Sequence, residues 1–530
     1  MDGHASADAS RAVEVRLPFR SQLFRLKEIF GNIFESKRMG ADLLFMVTYM
    51  TSITTAGITR PEIFSRTAFR EEYAPVKYIR KVEYFVKRWH YSYVEALNIV
   101  SEKTKNEMLR SLLNRYANSM EAGVPDEDFL QKELGTMRSV YRNTVEQGLE
   151  TLKKWSDAYI AMLFSASLVG IIIMISVAIY SPDGIESSLN TSYLIILIIS
   201  IFGLSIMYKS VPTDERTHHM GEWCSWEQGV IRRTEKIFLV LTAVSALLLL
   251  LISSNPGMVF LIIGVLLAPL GIIGYIDDKN IVDRDRDFTT FIRSLGSVMG
   301  GKGVSTKFAL AEVDRKSLQH LETFVNSVYS KINLGLNELL SWERFIGETG
   351  SNLIYKYMNI FQDSVELGGA PDMVGQIVSS SMLEQVLLRE KRDLFSKSFV
   401  ILLVPMHAAM VGIFLFLYHI MLQMSRAIAT VIENQSMTGS ALGGTSTAGG
   451  AFGSMNLFVN FPEAEMGVYV AIILVMLTTS NILAGKIVHG GDRYIVYFFA
   501  SLLCGITGLI YIAAPIVVQL FFSLPVVGGG

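Results

Sequence analysis

Four groups of residues in this sequence have types that carry chemistry. Gly296-Ser-Val-Met-Gly-Gly301-Lys302-Gly303 approaches the G-x-x-x-x-G-K-[ST] phosphate loop, in which backbone N–H groups cradle phosphate and the last hydroxyl ligates magnesium. Gly303 stands where that hydroxyl must be, and the run ends an amphipathic helical pattern instead of following a strand, so nucleotide binding is not expected. His218, His219, Glu222 and Cys224 carry metal-ligand atoms, but their spacing matches no zinc signature and the segment reads as a solvated loop. His407 lies two residues after Pro405 in an apolar run, and an ionisable group at membrane depth is a functional candidate. A proton relay needs a second station, so the expected role is a neutral, hydrogen-bonded histidine at a helix contact beside a proline kink. The last group is basic: Lys153 and Lys154, Arg232 and Arg233, then Arg389, Lys391, Arg392 and Lys397. These suit contact with an acidic protein surface or anionic lipid, and they also fit simple retention of cations on the inner side of a membrane. No nucleophile, base and orienting group occur together, so no catalytic residue, cofactor or metal site is expected and an enzyme is not the reading.

The elements that must position these residues are strongly apolar. Half of the 530 residues are hydrophobic and 18% are charged, with a mean hydropathy of +0.37; an ordinary soluble globular protein is excluded and a membrane protein indicated. The formal net charge of -2 argues against nucleic acid as a partner. Cys224 lies in a polar stretch and Cys504 in an apolar run, so no disulfide between them is expected. Residues 1–38 read as a polar tail and a basic amphipathic helix, with Arg16, Arg20, Arg25 and Lys27 interleaved among Leu17, Phe19, Leu23, Phe24, Ile29, Phe30, Ile33 and Phe34. Nothing there reads as a cleavable signal.

A helix needs roughly 20 apolar residues to cross about 30 Å of hydrocarbon. Seven stretches meet or approach that: 159–180, 192–208, 237–253, 257–276, 399–422, 466–487 and 494–522. Lys and Arg resist translocation. They occur in 15–158, 209–236, 277–398 and 486–493, whereas 181–191 and 254–256 have none and 423–465 has only Arg426. Alternation then predicts a cytoplasmic N-terminus, two cytoplasmic polar regions and an external C-terminus. The Asn190 and Asn434 sequons fall on external segments, as does a Gly/Ser/Thr-rich run over 438–454 that reads as a flexible loop.

Sliding the chain against itself by about 245 positions reveals a duplication. YANSMEAGVPD (116–126) aligns with FQDSVELGGAPD (361–372), and DLLFMVTYMTSITTAGIT from Asp42 aligns with DFTTFIRSLGSVMGGKGVS from Asp287. Leu43, Met46, Val47, Met50 and Ile53, like Phe288, Phe291, Ile292, Leu295 and Val298, recur at helical spacing and predict one buried face each. Gly57, Gly123, Gly303 and Gly368 read as structural helix stops, and Pro125 and Pro371 as starts of the next helix. The predicted fold is all-α: a polytopic membrane protein with about seven transmembrane helices and two homologous cytoplasmic helical bundles. The tail at 1–38 leads to a first bundle (39–158), four spans (159–276) with a basic loop at 209–236, and a second bundle (277–398). A fifth span (399–422), an external loop (423–465) and two last spans (466–530) complete it. The last helix of each bundle is expected to run directly into a span, from about Asp128 and from Asp372.

The paired bundles, the turns at Gly57 and Gly123 with their second copies, and the blocks DLLFMVTYMTSITTAGITR and RYANSMEAG resemble the type II secretion F family, most closely its archaeal branch serving archaellum (archaeal flagellum) assembly. The resemblance covers nearly the whole chain. It implies an inner-membrane platform of a type IV pilus-like machine, coupling a cytoplasmic hexameric secretion ATPase to insertion or rotation of pilin- or archaellin-like subunits, with membrane lipids as further partners and a homodimer by analogy with symmetric motors. An acidic motor surface of that kind is one contact that the charges of the basic group, Lys153 to Lys397, suit, beside anionic lipid. An adhesion pilus or a type II-like secretion system is the nearest alternative, and a secondary transporter the alternative of another class.

Overall fold

The computed structural model describes residues 38–180, 185–212, 214–221, 223–252, 255–439 and 461–521. Helix α1 (38–54) is followed by α2 (Arg60–Ala68), α3 (Val76–Trp89), α4 (Tyr93–Glu102), α5 (Glu107–Glu121), α6 (Asp126–Tyr180), α7 (Ile185–Ser210) and α8 (Trp226–Ile252). Then come α9 (Pro256–Lys302), α10 (Thr306–Glu312), α11 (Glu322–Asn333), α12 (Glu338–Thr349), α13 (Asn352–Glu366), α14 (Pro371–Gly439), α15 (Glu463–His489) and α16 (Ile495–Phe521). Among the described residues β pairing is limited to one isolated bridge, Thr217 with Ser351. Seven helices, α6, α7, α8, α9, α14, α15 and α16, are long and apolar enough to cross a membrane. The protein is an all-α, multi-pass membrane protein.

Each expected span overlaps one of these helices, with residues 253 and 522 outside those described, and three of the helices run well beyond their spans. α6 has 55 residues, α9 has 47 and α14 has 69, so α9 passes from the fourth span into polar sequence with no break at Ile276. The charged run Asp277–Asp287 is no breaker, because one side of the helix buries Asp277, Asp278, Ile281, Val282 and Asp285 in succession. Two expected loops change. α14 stays helical to Gly439, so the external loop does not open at 423, and Asn190 lies in α7 and not in a connection. Residues 440–460, which hold most of the Gly/Ser/Thr run, and the amphipathic segment 1–37 lie outside the described residues.

The chain divides into two compact units, one over described residues 38–50 with Ile58–Met137, the other over Thr51–Gly57 with the remainder from Arg138. In the first, Leu43, Met46, Val47 and Met50 are buried as the spacing predicted. Phe64 and Phe129 both stack on Tyr116, with centroids 5.7 and 4.8 Å away. Ser92 and Glu95 form a reciprocal capping box at the start of α4, and Arg60 pairs with Asp126 at 3.0 Å. Gly57, Gly123, Gly303 and Gly368 all have positive φ, between 62° and 92°. An added Cβ at any of them would meet nothing within 4 Å; backbone conformation, not space, is what selects glycine there. Pro371 is the first residue of α14, whereas Pro125 immediately precedes α6.

In the second unit, Phe288, Phe291, Ile292 and Leu295 are buried and Val298 only partly so. α6 and α14 run side by side. Arg138 donates to Ser381 Oγ at 3.1 Å and to the Ile377 carbonyl at 3.2 Å, Arg142 to Glu384 at 2.7 Å, and Lys391 to Glu146 at 2.8 Å. Within the spans, glycines bring α9 and α16 into backbone contact: an added Cβ on Gly264 would lie 2.6 Å from the Gly505 nitrogen, and one on Gly271 2.6 Å from Phe498 Cα. Small residues at such crossings replace the hydrophobic drive that lipid cannot supply. α8 turns Leu247, Leu250, Leu251 and Ile252 outward, as suits a lipid-facing helix.

Two of the near-phosphate-loop glycines have the same explanation. Gly296 and Gly300 lie in α9 against the first turns of α14: a Cβ on Gly296 would sit 3.0 Å from Gly375 Cα and closer still to the Pro371 carbonyl, and one on Gly300 2.8 Å from Asp372 Cβ, whereas Gly301 has open space and Gly303 ends the helix with its positive φ. Lys302 pairs with Glu312. Gly296→Val should therefore destabilise the protein by about 1–3 kcal/mol through overpacking, read as a lowered melting temperature in detergent, while Lys302→Met leaves it nearly unchanged. A Gly296→Val protein that melts like the parent would remove this account of the glycines.

Candidate functional site

Where the spans meet polar sequence, charged residues recur on single helical faces. Asp278 and Asp285 are one heptad apart on α9; Arg389, Asp393 and Ser396 follow at four and seven positions on α14. The 211–225 segment between α7 and α8 brings Asp214 and Arg216 to the same place. Arg216, whose side chain is fully buried, donates to Asp278 and, at 2.6 Å, to Asp393. Arg389 donates to Asp214 at 2.6 Å, to Asp285 at 2.6 Å and to the Glu215 carbonyl at 3.0 Å. Arg392 is satisfied by carbonyls alone, those of Ile487 (3.0 Å), Val488 (3.2 Å) and Pro212 (3.2 Å). His489 Nε2 lies 3.1 Å from Asp278 and its Nδ1 2.9 Å from Ser396. Beside these, Ser225 and Gln228 donate to Asp277 at 2.8 and 3.1 Å, and Arg284 joins Glu227 (3.1 Å) to the Thr349 carbonyl (2.9 Å). One network thus ties the 211–225 segment and α8, α9, α12, α14 and α15 together at the edge of the apolar layer.

Buried charges are tolerated only when paired and fully hydrogen-bonded. Burial alone would raise the Asp214 carboxyl, but Arg389, Arg216 and Arg392 overcome it and hold the pKa at about 2. Burial likewise acts to lower the Arg216 guanidinium, and Asp278, Asp393 and Asp214 more than offset it, so that it stays charged. The arrangement holds no nucleophile poised beside a base. It can fix the relative position of helices that leave the membrane and transmit displacement between them.

The basic residues singled out by sequence divide in two. Lys153, Lys154, Arg232, Arg233, Lys391 and Lys397 are exposed, whereas Arg389 and Arg392 are buried. Those two arginines are buried with each guanidinium nitrogen bonded inside the network, so they form no surface for a motor or lipid. Of the loop residues expected to be solvated, His219 is exposed and Cys224 half-buried, but His218 is not solvated. His218 is buried, with Nε2 3.0 Å from the Gly347 carbonyl, and burial lowers its pKa. Glu222 lies outside the described residues, and among those described no cluster could hold a metal ion. His407 behaves as expected at a helix contact: Asn481 donates to Nδ1 at 3.0 Å, Thr507 Oγ1 lies 2.9 Å from Nε2, and Tyr159 donates to Asn481 at 3.2 Å. Four spans meet there through neutral partners. Sequence reading missed Asp214, Arg216, Asp278, Asp285 and Asp393; the available signal was charges at helical spacing directly against an apolar run.

Removing one member of a buried pair costs about 3–5 kcal/mol, so Arg389→Ala should lower thermal stability far more than Lys397→Ala, which should stay within about 0.5 kcal/mol. Comparable melting of the two variants would show that the network does not hold the helices. Asp214 adds a pH signature. Its folded pKa lies below the ordinary carboxylate value, so its contribution to stability is full above about pH 4 and is lost as pH falls toward 2. Asp214→Asn should flatten the fall in stability between pH 4 and 2; an unchanged acid profile would contradict the pairing.

Two curated proteins resemble the chain. Flagella accessory protein J of Methanococcus voltae is 22% identical over 323 residues, covering 59% of this chain and 58% of that protein. Flagella accessory protein J of Methanocaldococcus jannaschii is 21% identical over 372 residues, covering 68% of this chain and 66% of that protein. The match spans less than two thirds of either relative's own length. No family model matches the chain, and no solved structure matches it. Both similarities support the resemblance to archaellum-assembly proteins read from the sequence.

Proposed function

We propose that this chain is a non-enzymatic membrane platform of a type IV pilus-like machine, with archaellum assembly the first reading. In it the N-terminus and both sets of polar helices face the cytoplasm, where a hexameric secretion ATPase grips them, and the spans pass the movement to pilin- or archaellin-like subunits. The name shared by the two relatives supports the archaellum assignment. The coupling role rests on one observation: α9 and α14 continue unbroken from the polar helices into spans and are locked to each other by Arg216 and Arg389 through Asp278, Asp393 and Asp285 where they enter. A push or torque on the polar ends would reach the membrane through rigid helix, not through a linker. The relatives' name does not distinguish an archaellum from an adhesion pilus or a type II-like secretion system, and neighbouring genes for filament subunits would.

The exposed cations Lys153, Lys154, Arg232, Arg233, Lys391 and Lys397 are the proposed electrostatic contact with an acidic motor surface. Co-purification in mild detergent should recover a hexameric ATPase with the parent protein. Combined charge reversal at these positions should cut recovery by about tenfold or more at low salt, with a shrinking difference as salt screens the contact, while membrane insertion is unaffected. Unchanged recovery would remove the motor role from this patch, and failure of the parent protein to recover any ATPase would remove the platform reading.

A further inference from the structure

α9 leaves the apolar layer where α14 enters it, and the two helices carry matching stripes across that border. On α9, Ile272, Ile276, Lys279, Asp283 and Arg286 follow one another at alternating steps of four and three, the spacing that keeps side chains on one face. On α14, Glu390, Leu394, Lys397 and Ile401 do the same in the opposite direction. Ile272, Ile276, Leu394 and Ile401 are exposed, as suits contact with lipid. Lys279 lies three residues past Ile276, where the fourth span ends, and Lys397 two residues before Phe399, where the fifth begins. Each is therefore within about 5 Å of helix from the edge of the hydrocarbon.

Between the stripes opens a cleft of about 370 Å³, a size typical of small-molecule sites. Lys279 and Lys397 are exposed in its wall, and neither has an ion pair or hydrogen bond among the described residues. Arg286 and His489, also in the wall, are engaged by Glu390 at 2.8 Å and by Asp278 at 3.1 Å. The carboxylates of the cleft are not saturated in return. Asp283 accepts no hydrogen bond among the described residues. Asp278 is 6% exposed, yet its Oδ1 is buried with no partner there. An unpaired buried carboxylate oxygen is costly, and a donor delivered into the cleft would remove that cost. Two spare cations at the lipid edge thus stand beside carboxylates with acceptor capacity to spare.

We propose that this cleft holds the headgroup of one anionic phospholipid that carries free hydroxyls. Lys279 and Lys397 bind the phosphodiester, Asp283 and Asp278 Oδ1 accept the headgroup hydroxyls, and the acyl chains descend over Ile276, Ile272 and Ile401. A phosphate without hydroxyls would set its charge against Asp283 with no proton to share. An acidic protein segment is disfavoured because both stripes continue without a break into lipid-exposed isoleucine. Mere retention of cations at a membrane edge calls for neither a cleft nor a vacant carboxylate oxygen. Once bound, the lipid bridges α9 and α14 from the membrane side while Arg216 joins Asp278 to Asp393 from the buried side. The inference needs the spans and not the filament machine, and of the six cations offered to the motor only Lys397 enters the cleft.

The full chain, purified in a neutral detergent, is titrated with phosphatidylglycerol, phosphatidylcholine or phosphatidic acid, and bound lipids are counted by native mass spectrometry. The parent should hold one phosphatidylglycerol at least about tenfold more tightly than phosphatidylcholine, with phosphatidic acid severalfold weaker than phosphatidylglycerol. Lys279→Gln combined with Lys397→Gln should erase the preference. Lys209→Gln combined with Lys236→Gln, at exposed cations beside other span ends, should leave it intact. None of these four lysines has a partner among the described residues, so both variants should melt like the parent. Absence of a preference in the parent, phosphatidic acid held as tightly as phosphatidylglycerol, or the same loss in both lysine pairs would each overturn the proposal. Displacement of the bound lipid by soluble glycerol phosphate would overturn it as well, since the cleft would then be a site for free phosphate.

Discussion

The structure depends on keeping three arginines, two of them paired with aspartates, charged while hiding them from water. Arg216, Arg389 and Arg392 sit where apolar helix gives way to polar helix, and each would be costly there unless every donor found an acceptor. That requirement is met by residues far apart in sequence, from the 211–225 segment, α9, α14 and the end of α15. Correct assembly of the spans is therefore a precondition for satisfying the charges, and satisfied charges in turn fix the register of the spans. A purely apolar border would pack more cheaply but would let α9 and α14 slide along each other, since apolar contacts have little direction. The paired charges supply register, a specificity role for which buried polar groups have precedent.

The same border explains which helices are positioned for mechanical work. α7, α8, α15 and α16 keep close to membrane length, whereas α6, α9 and α14 run far past it. α6 and α14 are fastened by Arg138, Arg142 and Lys391 at points 239 to 245 positions apart, close to the offset of the internal duplication. The two long helices therefore lie parallel and nearly in register, with corresponding positions facing each other.

Much of this was legible in the sequence, for identifiable reasons. Apolar length locates spans, because the thickness of hydrocarbon leaves little freedom, and every expected span overlaps one long apolar helix. Glycines at 57, 123, 303 and 368 were readable as stops because positive φ selects for glycine whatever the tertiary context. What escaped was long-range. Arg389 and Arg392 look like Lys391 and Lys397 in a string of cations, and only the three-dimensional arrangement turns two inward and leaves two in water. His218 looked solvated because its partner, the Gly347 carbonyl, is 129 residues away. The loop expected from Leu422 onward failed for a local reason: the residues to Gly439 are compatible with helix once α14 has been nucleated by its long apolar run.

Arg392 has one further consequence. It holds no carboxylate and grips instead the last carbonyls of α15, at Ile487 and Val488, while Lys486 turns back onto the carbonyls of Gly490, Gly491 and Asp492. The bend joining the final two spans is thereby latched to the shaft of α14 by cations seated on helix-end oxygens. If that shaft rises or swivels, the terminal hairpin travels with it as a passenger, and the lipid-facing wall it forms with α9 is redrawn in the same stroke.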